Sequence, residues 1–213
     1  MRSHREGVRA ALSGLFREEI VAVPLRKKEG EALFESDDHV KPHTSVEKLS
    51  QLAPAFGKDG TVTAGNASGI VDGAACVVVT SEDRAKDAKA KALGRVVSCA
   101  TVGVAPDHMG IGPAPAIREA LRKSGLKLSE IDLFEVNEAF AGQYLGVEKE
   151  LGLDRARVNV NGGSIALGHP LGATGTRLIL TLLLELRRRK KLHGVASACI
   201  GGGQGIAMVV ESL

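Results

Sequence analysis

From residue 61 onward, short Val-rich apolar runs alternate with stretches of helical period, and this alternation constrains the fold of the 213-residue chain more than any other feature. Residues 74–80 (AACVVVT) predict a buried strand, 81–92 a helix capped by Ser81, and 94–104 a second strand. A helix over 115–124, a short strand over 131–136 and an amphipathic helix over 138–151 follow. In the last, Phe140, Tyr144, Val147 and Leu151 share one face. Residues 158–160 predict a strand, 171–191 a long helix, and 193–198 with 206–211 a closing antiparallel hairpin. Strands joined through helices need crossover connections, so the expected architecture is α/β with a covered, mostly parallel sheet.

Residues 1–60 are polar and less regular, as an accessory layer would be. They hold an amphipathic helix candidate near 8–16 and a short helix after Thr44, where Thr44-Ser-Val-Glu47 fits a capping box. With 44% hydrophobic and 25% charged residues, the chain has the makings of a folded domain rather than a disordered one. Aromatic residues make up 3% with no Trp, too few for the stacking platforms that bind single-stranded nucleic acid. A net charge of +3 implies no polyanionic partner and suits an anionic small ligand. Arg187-Arg-Arg-Lys-Lys191 is read as a solvated last helical turn that complements the helix dipole.

The three cysteines, Cys76, Cys99 and Cys199, are widely spaced without a CxxC pair, so neither a disulfide framework nor a metal site is indicated. Cys76 and Cys99 fall within apolar runs and are expected as small buried hydrophobes. The apolar run 178–186 is too short to span a bilayer, so no membrane partner is expected, and the first residues lack the apolar core of a secretory signal.

Chemistry concentrates in two glycine-rich stretches, Asn161-Gly-Gly-Ser-Ile-Ala-Leu-Gly-His169-Pro and Cys199-Ile-Gly-Gly-Gly-Gln-Gly205. Because proline favours the first helical position, His169 is expected at the N-terminus of the 171–191 helix. The positive helix end would keep the imidazole neutral there, as a general base or neutral donor. A plain helix cap is the alternative. Cys199, after a strand and before three glycines, is either an activated thiol or proton donor, or a buried apolar group. Gly201 to Gly205 invite a dinucleotide-loop reading, but a strand follows where that fingerprint needs a helix. An oxyanion hole or a turn with positive φ fits better. Asn137, at a strand-to-helix junction, could cap the helix or hold a water in a site.

Asn137-Glu-Ala-Phe-Ala141, the stretch from Gly162 to Gly175 around His169, and Cys199 to Gly205 resemble, in order, signature blocks of the thiolase family. The likeness covers essentially the whole chain. Met109-Gly-Ile-Gly-Pro113 and Glu135-Val-Asn-Glu-Ala-Phe140 resemble most the mitochondrial-type branch acting on 3-ketoacyl-CoA, with acetyl-CoA acetyltransferases close behind. The resemblance implies an acyltransferase that cleaves 3-ketoacyl-CoA thiolytically or runs the reverse condensation, with coenzyme A as substrate and no cofactor. It implies that His169 activates a nucleophilic cysteine and lines one oxyanion hole, where Asn137 positions a water, that Cys199 exchanges a proton with the acetyl-CoA α-carbon, and that the Gly201 amide serves a second oxyanion hole. Lys41, Thr44 and Ser68 become coenzyme A contacts, Lys41 standing where the family commonly has Arg. Phe56, Met109 and Phe140 become pocket walls.

The same resemblance implies a layered αβαβα fold, of which this chain holds the C-terminal half. Residues 1–60 would be part of a loop domain, 61–92 the remainder of the N-terminal domain, and 93–213 the C-terminal domain. It also implies a homodimer or homotetramer, in the mitochondrial matrix of a eukaryote or the cytoplasm of a bacterium. Thiolases are roughly twice this length, and none of the three cysteines matches their acyl-accepting cysteine. The chain alone is therefore expected to lack ping-pong turnover. Two other readings are a non-catalytic coenzyme A-binding protein and a cysteine hydrolase built on Cys199 and His169, for which no third, orienting group stands out in the sequence.

Overall fold

The computed structural model describes residues 1–27 and 30–213. Helix α1 (Arg2–Leu12) leads to a hairpin of β1 (Val23–Lys27) and β2 (Gly30–Phe34), and then to short helices α2 (Val46–Ser50) and α3 (Glu82–Asp87). Next come β3 (Gly94–Gly103), a 3₁₀ segment (Pro106–Ile111), α4 (Pro113–Ser124), β4 (Leu133–Val136) and α5 (Ala141–Leu151). The chain ends with α6 (Ser164–Leu167), α7 (Thr174–Arg189), β5 (His193–Ile200) and β6 (Gln204–Ser212).

A four-stranded sheet in the order β3-β6-β5-β4 organises the second half. The expected closing hairpin is present, with Cys199 opposite Gly205 in the β5/β6 register. The sheet is mixed rather than mostly parallel: β4 and β5 run parallel, whereas β6 pairs antiparallel with both β5 and β3. A tight glycine turn can join only antiparallel neighbours, so that turn fixes the direction of β6.

Period-two alternation distributes the core over both faces. Val195 and Val209 point to one side, where Ile117 of α4, Val147 of α5 and Phe134 complete the larger cluster. Ala196 and Val210 point to the other, against Leu178, Leu182 and Leu186 of α7. The 178–186 run is thus the buried helix face its composition suggests. Burying each such leucine stabilises the fold by about 1.5–3 kcal/mol. Arg187, Arg188 and Arg189 occupy the exposed last turn of α7, and the latter two pair with Glu185. Among the described residues no helix is long and apolar enough to cross a membrane.

Several expectations need correction. Residues 74–80 form no strand; Val78 and Val79 are 90% and 81% exposed, and Cys76 is exposed. β-Branched residues favour an extended backbone, but a strand also needs a neighbouring ladder, and among the described residues none pairs with this segment. Cys99 does lie in β3 yet is exposed: its neighbour Ala100 faces α4, and Cys99 points to the opposite side of an edge strand. Residues 158–160 make only a single bridge, between Val158 and Phe134. The first helix spans Arg2–Leu12 rather than 8–16, because Gly14 turns the chain at φ 69° and sends Phe16 into a separate buried turn. Ser45, not Thr44, caps α2, accepting a hydrogen bond from the Lys48 amide. The β1/β2 hairpin is an addition to the expected elements.

Candidate active site

Three loop segments, 66–69, 137–140 and 161–170, meet beyond the β4 end, and the second of them is fastened to β5. The chain leaving β4 bends at Ala139 and is extended at Phe140, so α5 begins at Ala141 rather than at Glu138. The Asn137 amide donates to the Ser197 carbonyl at 2.8 Å, which fastens this loop to β5 two residues before Cys199. Segment 66–69 then straps the loops together. Ser68 donates to the Ala139 carbonyl from both its amide (3.0 Å) and its hydroxyl (3.2 Å), and the Ala141 amide donates to Asn66. The Gly69 carbonyl accepts from the His169 amide at 2.9 Å. Glu138, buried, binds the neighbouring loop: its carboxylate accepts from the hydroxyl of Ser3 in α1 (2.6 Å), the Asn159 side chain (3.1 Å) and the Ile165 amide (3.3 Å).

His169 follows Gly168, whose φ of +86° and contact with Val71, 2.4 Å from where a Cβ would sit, leave room for glycine alone. The helix expected to start beside His169 starts five residues later, at Thr174, so the histidine is not at its N-terminus. His169 is nevertheless held below the ordinary imidazole range, chiefly by burial and then by the Arg177 guanidinium. Its Nδ1 lies 2.7 Å from the Thr174 hydroxyl, which itself donates to the Pro170 carbonyl at 3.0 Å. The hydroxyl therefore accepts from Nδ1–H, and Nε2 keeps its lone pair. Asn137 lies 3.2 Å from Nε2 through its Nδ2. Of the two roles open to Asn137 in the sequence, capping is excluded, since Phe140 holds the N-cap position of α5.

Cys199, next to last in β5, is buried, and burial pushes its thiol up. A thiol raised in this way stays protonated near neutrality and serves as a proton donor better than as a resident thiolate. Beyond it Gly202 and Gly203 turn the chain at φ 86° and 91°, and the exposed Gly201 precedes them. Gly205, opposite Cys199, presses so closely on Gly112 that a Cβ would lie 2.0 Å from the Gly112 carbonyl oxygen.

Lys41 and Thr44 come together at a cavity of about 500 Å³, shared with His4, His39, Lys48 and Leu52. Burial holds His4 at a pKa of about 4, and its Nδ1 accepts from the Lys41 amide at 3.1 Å. The Phe56 and Phe140 rings meet edge to face with centroids 6.5 Å apart. Ser68 is in the strap rather than at that cavity. Met109, half-buried in the 3₁₀ segment, sits where that segment packs on α5, β5 and β6.

The structure also adds residues that the sequence reading missed. The Ser164 hydroxyl donates to Asn137 Oδ1 at 2.5 Å and accepts from Arg177 at 3.1 Å. Glu135, wholly buried in β4, lies 3.5 Å from Arg177. Burial pushes this carboxyl to about 8; the guanidinium offsets only part of that at a separation too long for a strong hydrogen bond. A charged residue inside the apolar strand sequence Leu-Phe-Glu-Val was the available signal for this group.

Comparison with known proteins gives a consistent result. The family model described as the thiolase C-terminal domain matches residues 90–212, and that of the thiolase N-terminal domain matches residues 1–83. Human mitochondrial 3-ketoacyl-CoA thiolase is 52% identical over 200 residues, which cover 94% of this chain and 50% of that protein. The acetyl-CoA acetyltransferase of Escherichia coli (strain K12) is 51% identical over 213 residues, covering all of this chain and 54% of that protein. Among solved structures, the Bacillus anthracis acetyl-CoA acetyltransferase superposes with a TM-score of 0.97 at 50% identity, covering 100% of this chain and 54% of that one. Human mitochondrial 3-ketoacyl-CoA thiolase in complex with CoA superposes with a TM-score of 0.93 at 50% identity, covering 99% and 52%. The chain spans about half the length of the curated relatives it matches.

Proposed function

The chain belongs to the thiolase family, and on that premise we propose that it carries the proton-transfer half of a thiolase-type acyl transfer on coenzyme A thioesters. In this reading His169, neutral and with its lone pair at Nε2, takes the proton of an attacking thiol. Cys199 gives a proton to, or takes one from, the α-carbon of acetyl-CoA. Once it carries the thiol's proton at Nε2, His169 donates to one developing oxyanion together with a water positioned by the Asn137 amide, and the Gly201 amide stabilises the other. The observation that carries the reading is the fixed Nδ1–H form of His169 beside Asn137, whose loop is fastened to β5 at Ser197, two residues before the buried, protonated Cys199.

Coenzyme A is proposed to enter past Lys41 and Thr44, with Ser68 and the strap guiding the pantetheine arm inward and Phe56, Met109 and Phe140 walling the acyl end. The cations at the 500 Å³ cavity supply the complement to its phosphates, and the CoA complex of a structural neighbour supports this choice of ligand. The acyl-accepting thiol is proposed to come from outside these three cysteines, so 3-ketoacyl-CoA thiolysis is expected to be undetectable with this chain alone. The proposed setting is a homodimer or homotetramer, in the mitochondrial matrix or, in a bacterium, the cytoplasm. Calorimetric titration with coenzyme A, compared with Lys41→Ala, tests the substrate. Saturable binding weakened by the substitution supports the reading, and no saturable binding contradicts it. Binding without proton transfer at acetyl-CoA would instead favour a non-catalytic coenzyme A-binding protein, for which the Lys41 cavity alone suffices. A hydrolase dyad gains the orienting group the sequence did not suggest, Thr174, but the raised thiol of Cys199 runs against it.

A further inference from the structure

Arg177 sits in the first turns of α7, two residues past Gly175, and its guanidinium is the head of a hydrogen-bond chain that ends at His169. Arginine can only donate, so the Ser164 oxygen, 3.1 Å from Arg177, must accept. The Ser164 hydroxyl hydrogen is thereby left for a second acceptor, and the Asn137 side-chain atom 2.5 Å away must be the oxygen. With Oδ1 committed, Asn137 can turn only Nδ2 toward His169, and Nε2 must accept. The far end gives the same answer independently: the Pro170 carbonyl takes the Thr174 hydrogen, so Thr174 accepts from Nδ1–H. Every donor in the chain has one acceptor, and the tautomer of His169 is fixed from both sides.

We propose that Arg177 is a positioning residue that acts through Ser164 to lock the Asn137 amide, and so holds His169 in the Nδ1–H form that a general base requires. Its value for catalysis rests on the proton-transfer reading above; the locking itself does not. A proton taken up at Nε2 displaces the Asn137 N–H from the lone pair, so the chain holds the resting imidazole neutral until a thiol delivers its proton. Arg177 itself is surrounded by acidic groups from separate elements: Glu135 of β4 at 3.5 Å, Glu19 after α1 and Asp37 after β2, each raised by burial and each feeling its charge. Glu138, whose carboxylate accepts from the Ile165 amide next to Ser164, and Glu185 of α7 add to the charges that act on Glu135. A lysine could supply the same charge to that nest. It could not also hold a second, fixed N–H on Ser164, because its ammonium is a point charge on a flexible stem.

The test is long-range ¹H–¹⁵N correlation spectroscopy of the ¹⁵N-histidine-labelled chain, with the His169 signal identified by its loss in His169→Asn. The wild-type chain is expected to show His169 as a single Nδ1–H tautomer. Ser164→Ala cuts the relay but leaves Arg177 and its carboxyl neighbours in place. Both substitutions are made in a Thr174→Val background, which removes the far-end constraint and should by itself keep the Nδ1–H pattern through Asn137. There Ser164→Ala frees the Asn137 amide to turn its oxygen toward Nε2, so the single-tautomer pattern should be lost to a mixture with the Nε2–H form, and Arg177→Lys, which keeps the charge, should move His169 in the same direction. An unchanged Nδ1–H pattern in Ser164→Ala overturns the proposal, and an unchanged pattern in Arg177→Lys beside a mixed one in Ser164→Ala removes Arg177 from it. Because the readout needs neither substrate nor turnover, a chain that binds no coenzyme A can still confirm the lock, and a chain that binds it can still refute it.

Discussion

Replacing Glu135 by Gln should make the protein more stable at alkaline pH, the reverse of what removing one partner of a strong ion pair would do. The Glu135 carboxyl is wholly buried, and the desolvation that raises it to about 8 outweighs the Arg177 guanidinium 3.5 Å away. A carboxyl raised by folding contributes stability that is fully present below its unfolded value, here 4.5, and that is lost as pH rises through the folded value. The gap between 4.5 and about 8 is equivalent to a ceiling of about 5 kcal/mol. Gln has nearly the shape of the protonated acid and does not ionise. Wild type and Glu135→Gln should therefore unfold within about 1 kcal/mol of each other at pH 5, and the variant should be the more stable by several kcal/mol at pH 9. Urea unfolding at the two pH values measures this: with a slope of about 1–3 kcal/mol per molar urea, a gap of that size moves the midpoint by about 1 M or more. Glu19 and Asp37 titrate in both proteins, so their effect largely cancels in the difference. A stability gap that stays the same from pH 5 to pH 9, or that grows in favour of wild type, would refute the claim that burial dominates the pair.

Gly205→Ala should lower stability by at least about 2 kcal/mol in thermal or urea melts, since its Cβ would lie 2.0 Å from a Gly112 carbonyl and only backbone movement can relieve the clash. Leu182→Ala, in the fully buried seam between α7 and the sheet, should cost about 2–5 kcal/mol in the same assay. Limited alkylation with iodoacetamide at neutral pH, mapped by peptide mass, should label the exposed Cys76 and Cys99 well before the buried, raised Cys199; labelling of Cys199 first would contradict its assignment as a protonated donor.

Local patterns that carry their own cause survived best. The β5/β6 hairpin and the buried face of α7 follow from apolar periodicity bounded by glycine and arginine, and the structure places both as expected. Patterns whose outcome depends on a distant partner did not. The Val77 to Val79 run has strand composition, but a strand exists only where another ladder meets it, and composition cannot supply the neighbour. Parallel pairing fails similarly, because the glycine turn before β6 imposes its direction on two of the three strand pairs. In the site, His169, Asn137 and Cys199 could be singled out by glycine context and by resemblance. The neutral state of His169 was anticipated from a helix dipole that turns out to begin five residues away; burial and Arg177 produce it instead. Ser164, Thr174 and Arg177 gave no warning, because a hydroxyl or guanidinium in a sequence does not say which amide it will orient.

Deuterium exchange into the methyl group of acetyl-CoA, followed by mass spectrometry in D₂O, examines the proposed proton transfer without needing the acyl-accepting thiol. The chain should catalyse exchange above the rate of buffer alone, His169→Asn should slow it, and Cys199→Ala should abolish it while leaving calorimetric coenzyme A binding in place. No exchange at saturating acetyl-CoA, or exchange undiminished in Cys199→Ala, would contradict the assignment of Cys199 as the group that moves the α-proton.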